Sequence, residues 1–379
     1  MRPLYLNEEQ SLLLASTRAF VAEHAPLAHW RTLRDSDDPS GFSRGLWSRF
    51  ADMGFNGVLA PESMGGLALG HVEAGIILEQ IGRNLTPSPF LPTAVGAVTA
   101  LMAASPHKAL EWIPRIVSGE TVAALAIDET SRHQPTRIAL HAERVGDGFR
   151  LTGDKRFVLH GHVADHLIVA ARTTAAADPT HGLTLFAIPA HSAGLRHSPE
   201  RLADASLASR IRFEAVAVNA EALIGAPDAG WEALRRMLAA VRTGAAAELL
   251  GVGTAALDIT VDYLKTRRQF DRPIGAFQAL QHRAAHLYAE LEVARSAIFK
   301  AQVLLDAGDP ASEPAASVAK AMTGMAVSLA VQEGVQLHGG VGMTDAYDIG
   351  LYMKRAQVLQ QTFGDADFHA GELARVTGY

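Results

Sequence analysis

Apolar residues recur three and four positions apart through the first third of the chain. Ala74, Ile77, Leu78, Ile81 and Leu85 form one such stripe, the period of a helix that buries one face. Asn7, with Gln10 three residues on, spells a capping box for an earlier helix that ends near Pro26. Leu46–Met53 reads as another helix, stopped by Gly54, and Pro61–Gly66 reads as a loop. From about residue 121 the period shortens. Thr121–Ile127, Ala142–Val145, Phe149–Thr152, His166–Ala171, Leu183–Pro189 and Ile211–Val218 are β-prone runs, with Gly146-Asp147-Gly148 punctuating a hairpin. In the last run Ile211 and Phe213 alternate with Arg212 and Glu214, as a half-buried strand requires. Strands unbroken by helical patterns predict an antiparallel barrel or sandwich. Helical patterns return in Trp231–Lys265, Phe277–Asp306, Pro314–His338 and Ala346–Gln361. The expected class is therefore α+β and multidomain: a helical domain over 1–120, a β domain over 121–225 and a helical bundle over 226–379.

Composition narrows this picture mainly by exclusion. The 379 residues are 48% apolar and 20% charged, an ordinary globular balance with ample core. A net charge of −6 gives no footprint for nucleic acid. With no cysteine, disulfides, thiolate metal sites and cysteine nucleophiles are all excluded. The polar opening MRPLYLNEEQ carries no apolar signal core, and no apolar run approaching a membrane span is read, so a cytoplasmic location is expected.

The densest chemistry lies in Tyr263–Arg283. Lys265, Arg267 and Arg268 gather at the end of the long helix and are followed by Gln269, Phe270, a Pro273–Gly275 turn, Gln278 and Gln281. Cations at a helix end joined to a hydrogen-bonding turn suit a pyrophosphate and a flat heterocycle. Basic residues there also complement the helix dipole without any ligand. Further on, Gln336–Gly340 (QLHGG) places two glycines where a backbone can approach a ligand closely. A helix pattern precedes these glycines, so they are not a Rossmann fingerprint.

The string RRQFDRPIGAFQ resembles the R-x-Q-F-x-x-P-I-x-x-F-Q signature of the acyl-CoA dehydrogenase flavoproteins, and QLHGG their Q-x-x-G-G turn. The resemblance implies the fold of that family: N-terminal α-helical domain, central β-barrel, C-terminal α-helical bundle. It implies FAD, with Arg267 and Gln269 facing the pyrophosphate of a neighbouring subunit's cofactor, and Phe270, Gln278, Gln336, Gly339 and Gly340 completing the contact. Phe157 and Leu159 fall at the family's Trp-Ile-Thr turn beside the flavin. Phe157 can replace the indole as an apolar wall, whereas Leu159 supplies no hydroxyl. The implied reaction is α,β-dehydrogenation of an acyl-CoA, with an electron-transfer flavoprotein as acceptor and a homo- or hetero-dimer or tetramer as the assembly.

That reaction needs a carboxylate to take the α proton, in a dry pocket that raises its basicity. Family members carry it either just before a glycine near the C-terminus or on the long helix before an arginine. Here those positions hold Phe363, before Gly364, and Val241, before Arg242. Within the run GAAAELLGVG of that helix stands Glu248, seven residues after Val241 and so two turns along the same face. Glu248 is expected as the base and Arg242 as a substrate-side residue. A structural ion pair of Glu248, with Arg242 or another chain, stands beside that reading. Asp365 and Asp367 follow Gly364 at an expected helix start, where capping is the simplest role. Lacking the C-terminal glutamate, the chain also resembles the small subunit of pimeloyl-CoA dehydrogenase and related bacterial members. A non-catalytic subunit that completes a partner's FAD site is the alternative function.

Overall fold

The computed structural model describes residues 6–378; Met1–Tyr5, read above as part of a polar start, and Tyr379 lie outside them. Six helices come first: α1 (Glu8–His24), α2 (Leu27–Asp35), α3 (Arg44–Asp52), α4 (His71–Arg83), α5 (Val98–Ala104) and α6 (Pro106–Val117). Eight strands follow: β1 (Ala123–Ala126), β2 (His141–Val145), β3 (Gly148–Leu159), β4 (His166–Arg172), β5 (Leu183–Pro189), β6 (Leu195–Arg201), β7 (Leu207–Val218) and β8 (Leu223–Ile224). Then come α7 (Gly230–Thr266), the short β9 (Arg268–Gln269) and β10 (Arg272–Pro273), α8 (Gln278–Asp306), α9 (Ser312–His338), α10 (Ile349–Gln361) and α11 (Ala366–Thr377).

The capping box forms at α1: Asn7 Oδ1 accepts from Gln10 N at 2.8 Å, and Asn7 N donates to Gln10 Oε1 at 3.0 Å. The stripe of α4 is buried as its period demands, Ile77 fully so. The β sheet runs β6-β7-β3-β2-β4-β5-β8. Its long pairings are antiparallel, β3 with β7 and β4 with β5. Two contacts are parallel, because β1 and the start of β2 share one edge of β4. Strand β6, unread in the sequence, is an edge strand paired with β7 and mostly exposed, so it lacks the alternation of a buried strand.

The described residues form two compact units, residues 6–31, 75–86 and 242–378 in one and residues 32–74 and 87–241 in the other. This differs from the three-part reading because α1 and most of α4 join the C-terminal helices. The joint is close. A Cβ on Gly82 of α4 would lie 1.9 Å from the Glu248 carbonyl oxygen, and one on Gly251 of α7 would lie 2.0 Å from that of Glu79. Glycine at both positions lets the two helix backbones touch. Arg295 of α8 adds an ion pair to Glu79 at 2.6 Å, and the Tyr352 hydroxyl donates to the Arg83 carbonyl at 2.8 Å.

One sequence expectation needs correction. Two helical stretches, Gly230–Thr266 and Ser312–Met343, are long and apolar enough to cross a membrane by length and composition. Their apolar windows are 83% and 61% buried within the protein, the pattern of core helices.

Candidate functional site

The turn after α7 is built around its cations. Arg267 N closes the helix on the Tyr263 carbonyl at 2.8 Å. β9 and β10 then pair antiparallel through the two-residue turn Phe270-Asp271. Both turn residues have left-handed backbones, φ +52° and +63°, a geometry usually given to asparagine and glycine. Strain of this kind clusters where a ligand is held. Phe270 is 82% exposed, and Arg267, Arg268, Gln269 and Gln278 are exposed beside it in sequence. The Arg272 guanidinium sits 4.1 Å from the Phe277 ring centroid, and Gln281 Nε2 donates to the Gly275 carbonyl at 2.9 Å, which fixes the turn from within.

The QLHGG segment ends α9. Gln336, Gly339 and Gly340 are exposed, and a Cβ added at either glycine would meet nothing within 4 Å. Gly339 has φ +66°. One contact ties this turn to the cationic one: the Tyr263 and His338 rings stack with centroids 4.4 Å apart. Exposed cations, glutamines and an open Gly-Gly turn are the donor set that an adenine dinucleotide diphosphate requires. These residues fit FAD.

Glu248 of α7 is engaged. Glu248 is 4% exposed, and its Oε1 accepts from Arg355 Nη2 of α10. The sequence reading offered Arg242 as an ion-pair partner; the structure gives Arg355. The carboxylate is thus committed to an ion pair between α7 and α10. Arg242 is itself buried, its guanidinium 5.3 Å from the Phe368 ring centroid.

Around Phe363 the backbone is held from two sides. Phe363 and Gly364 have φ +58° and +103°. Lys320 of α9, fully buried, donates to the carbonyls of Leu359 (3.0 Å), Gln360 (2.9 Å) and Gly364 (2.9 Å). His369 Nε2 lies 3.1 Å from the Phe363 carbonyl, and its Nδ1 lies 3.2 Å from Ser317 Oγ. Asp365 caps α11 as its position predicts, accepting from Phe368 N at 2.9 Å.

Burial first, and the charge of Arg242 second, push the Lys320 ammonium down to about 7, while Asp365 acts the other way. The unfolded lysine keeps its proton to about 10.5. Between these values the unfolded chain binds more protons, so this group makes stability rise with pH; below about 7 both states are charged and the slope vanishes. Urea midpoints of wild type should therefore rise across that window relative to Lys320→Met. Equal slopes in the two proteins would refute the assignment.

In the β unit, Phe157 sits at an irregularity of β3 between Lys155 and Val158, with φ +51° and 42% exposed. Such bulges re-aim a side chain. Leu159 is half-buried. Lys155, wholly buried, donates to the Ile127 carbonyl and to Glu129 Oε1, both at 2.8 Å. Burial lowers its ammonium and the contact with Glu129 opposes that. Glu129 also accepts from Ala139 N and Leu140 N, and Asp128 contacts His133 Nδ1 at 2.9 Å, so the segment after β1 is tied by its own acids. Sequence reasoning missed Lys155, Lys320 and His338. The available signal was a lysine amid small apolar residues, as in SVAKAMTGMAV, since lysine is seldom buried without partners.

Three family models cover the chain: the acyl-CoA dehydrogenase N-terminal domain over residues 7–120, the middle domain over 128–216 and the C-terminal domain over 228–377. The chain belongs to the acyl-CoA dehydrogenase family. The family is FAD-dependent, and its enzymes are oxidoreductases acting on CH–CH bonds. The Mycobacterium tuberculosis acyl-CoA dehydrogenase FadE12 is 30% identical over 359 residues, covering 93% of this chain and 91% of its own. A variant of the Tcur3481-Tcur3483 steroid acyl-CoA dehydrogenase superposes with a TM-score of 0.89 at 31% identity, covering 98% of both chains. The ChsE4-ChsE5 complex from Mycobacterium tuberculosis contains a chain with a TM-score of 0.87 at 27% identity, covering 99% of both.

Proposed function

We propose that this chain is a subunit of an FAD-dependent acyl-CoA dehydrogenase that offers its cationic turn and its Gly339-Gly340 turn to the cofactor. The observation that carries the reading is the Tyr263–His338 stack, which joins those two turns within one chain. Arg267 would balance the diphosphate charge, and Gln269, Gln278 and Gln336 would hydrogen-bond the cofactor. Phe270 would present an apolar face. FAD, when bound, supplies the hydride acceptor at flavin N5.

Arg242 would line the acyl-CoA side, and reoxidation by an electron-transfer flavoprotein belongs to the same proposal. The α proton needs an acceptor. Glu248 is held by Arg355, and the positions before Arg242 and Gly364 are apolar. We therefore place the acceptor on a second acyl-CoA dehydrogenase chain of the assembly. The two-component names of the similar ChsE4-ChsE5 and Tcur3481-Tcur3483 structures support a paired arrangement. Glu248 as the base is the second reading; its burial on a small-residue face favours it.

Replacing Arg267 tests the cofactor assignment. Losing a charge-assisted bond to phosphate costs about 1.5–3 kcal/mol, so Arg267→Ala should weaken FAD binding about ten- to a hundredfold. The measurement is FAD titration of the protein co-expressed with its acyl-CoA dehydrogenase partner. Unchanged affinity would remove Arg267 from the site.

A further inference from the structure

The cationic turn and the Gly339-Gly340 turn are bridged by a residue that no signature position names. His338 directly precedes Gly339-Gly340 and is only 3% exposed. Its ring stacks on Tyr263 at 4.4 Å, with an interplanar angle of 28°. It also meets Tyr347 edge-on at 5.3 Å, and Tyr263 meets Tyr347 at 5.7 Å, so the three rings form one closed cluster. The members come from three places. Tyr263 lies in the last turn of α7 and accepts, through its carbonyl, the Arg267 N–H. His338 ends α9 just before the glycines. Tyr347 lies beyond them, where its N–H donates to the Thr344 carbonyl. The glycine turn is thus gripped before and after, and both grips rest on the helix end that presents Arg267.

The imidazole is suited to this place. Its Nδ1 lies 2.7 Å from the Gly334 carbonyl one helical turn back, which adds a polar tether to the ring stack. Nε2 has no hydrogen-bond partner among the described residues. Burial disfavours the charged ring, so the neutral imidazole stacks.

We infer that His338 is a positioning residue for the cofactor: through its stack on Tyr263 it sets the Gly339-Gly340 turn against the Arg267 turn, so that one ligand reaches both. The inference rests on the FAD reading above. Glycines without side-chain contacts cannot hold their own placement, and a turn with nothing within 4 Å of a built Cβ takes its position from its flanks. Pre-organisation of this kind lowers the ordering cost of binding.

The experiment is FAD titration of the deflavinated complex, followed by flavin fluorescence, for wild type, His338→Ala, Tyr263→Ala, the double variant and His338→Phe. An aromatic pair is worth about 0.5–1.5 kcal/mol, so His338→Ala should weaken FAD about three- to tenfold. The double variant should be no weaker than the weaker single variant, because both remove the same contact. His338→Phe keeps the stack and should restore most of the affinity. Thermal melts of the apoproteins accompany the titrations. Wild-type FAD affinity in His338→Ala, with a lowered melt, would make His338 a packing residue and overturn the inference, as would additive losses in the double variant. Wild type that takes up no FAD would instead overturn the FAD reading itself and this inference with it.

Discussion

Gly251→Ala is expected to cost more than about 4 kcal/mol or to abolish soluble expression, a size reserved for changes that a fold cannot absorb. The added Cβ would sit 2.0 Å from the Glu79 carbonyl oxygen and 2.9 Å from Arg83 N, both backbone atoms of α4. No rotamer relieves such a clash. The helices must separate, and separation would open the contacts on either side, among them the facing Gly82–Glu248 approach. Gly371→Ala in α11 is the control, since a Cβ there meets nothing within 4 Å. Guanidinium unfolding of the two variants checks this. A Gly251→Ala protein with a near-wild-type midpoint would mean that α4 and α7 are not in backbone contact.

The second large effect concerns Glu248. Glu248→Leu removes the carboxylate that Arg355 contacts, while the Arg355 side chain is only 21% exposed. Removing one partner of a buried pair costs about 3–5 kcal/mol; partial exposure of the arginine brings the expectation to about 2–4 kcal/mol. Adding Arg355→Leu should recover part of that loss, because two apolar residues replace two charges. Urea unfolding of the single and double variants measures both. A single variant as stable as wild type would free Glu248 for another role.

The sequence made local features legible. The α1 capping box and the α4 stripe need only neighbours a few residues apart, and both formed. The cationic turn was legible because its residues are contiguous. The first helix ends near Pro26 as expected, at His24, and helix α2 went unread because it starts at Leu27, directly after that proline. The site chemistry was less legible for a physical reason. Glu248 and Arg355 are 107 residues apart, and nothing in the periodicity of α7 or α10 pairs them. Lys320 looked like any helix lysine until the C-terminus of α10 supplied its acceptors. His338 was read only as a letter within QLHGG, because a stack between two helix ends exists only in the fold.

The central claim is that this chain serves an acyl-CoA dehydrogenase without using Glu248 as its base. The most direct measurement is the anaerobic rate at which acyl-CoA substrates bleach the visible flavin absorbance of the assembled complex, compared between wild type and Glu248→Gln. The amide keeps the shape and an acceptor for Arg355 but removes the basicity. The account predicts bleaching within a few-fold of wild type in a folded variant. Loss of bleaching by several orders of magnitude, with FAD still bound and the melt unchanged, would make Glu248 the proton acceptor and contradict it.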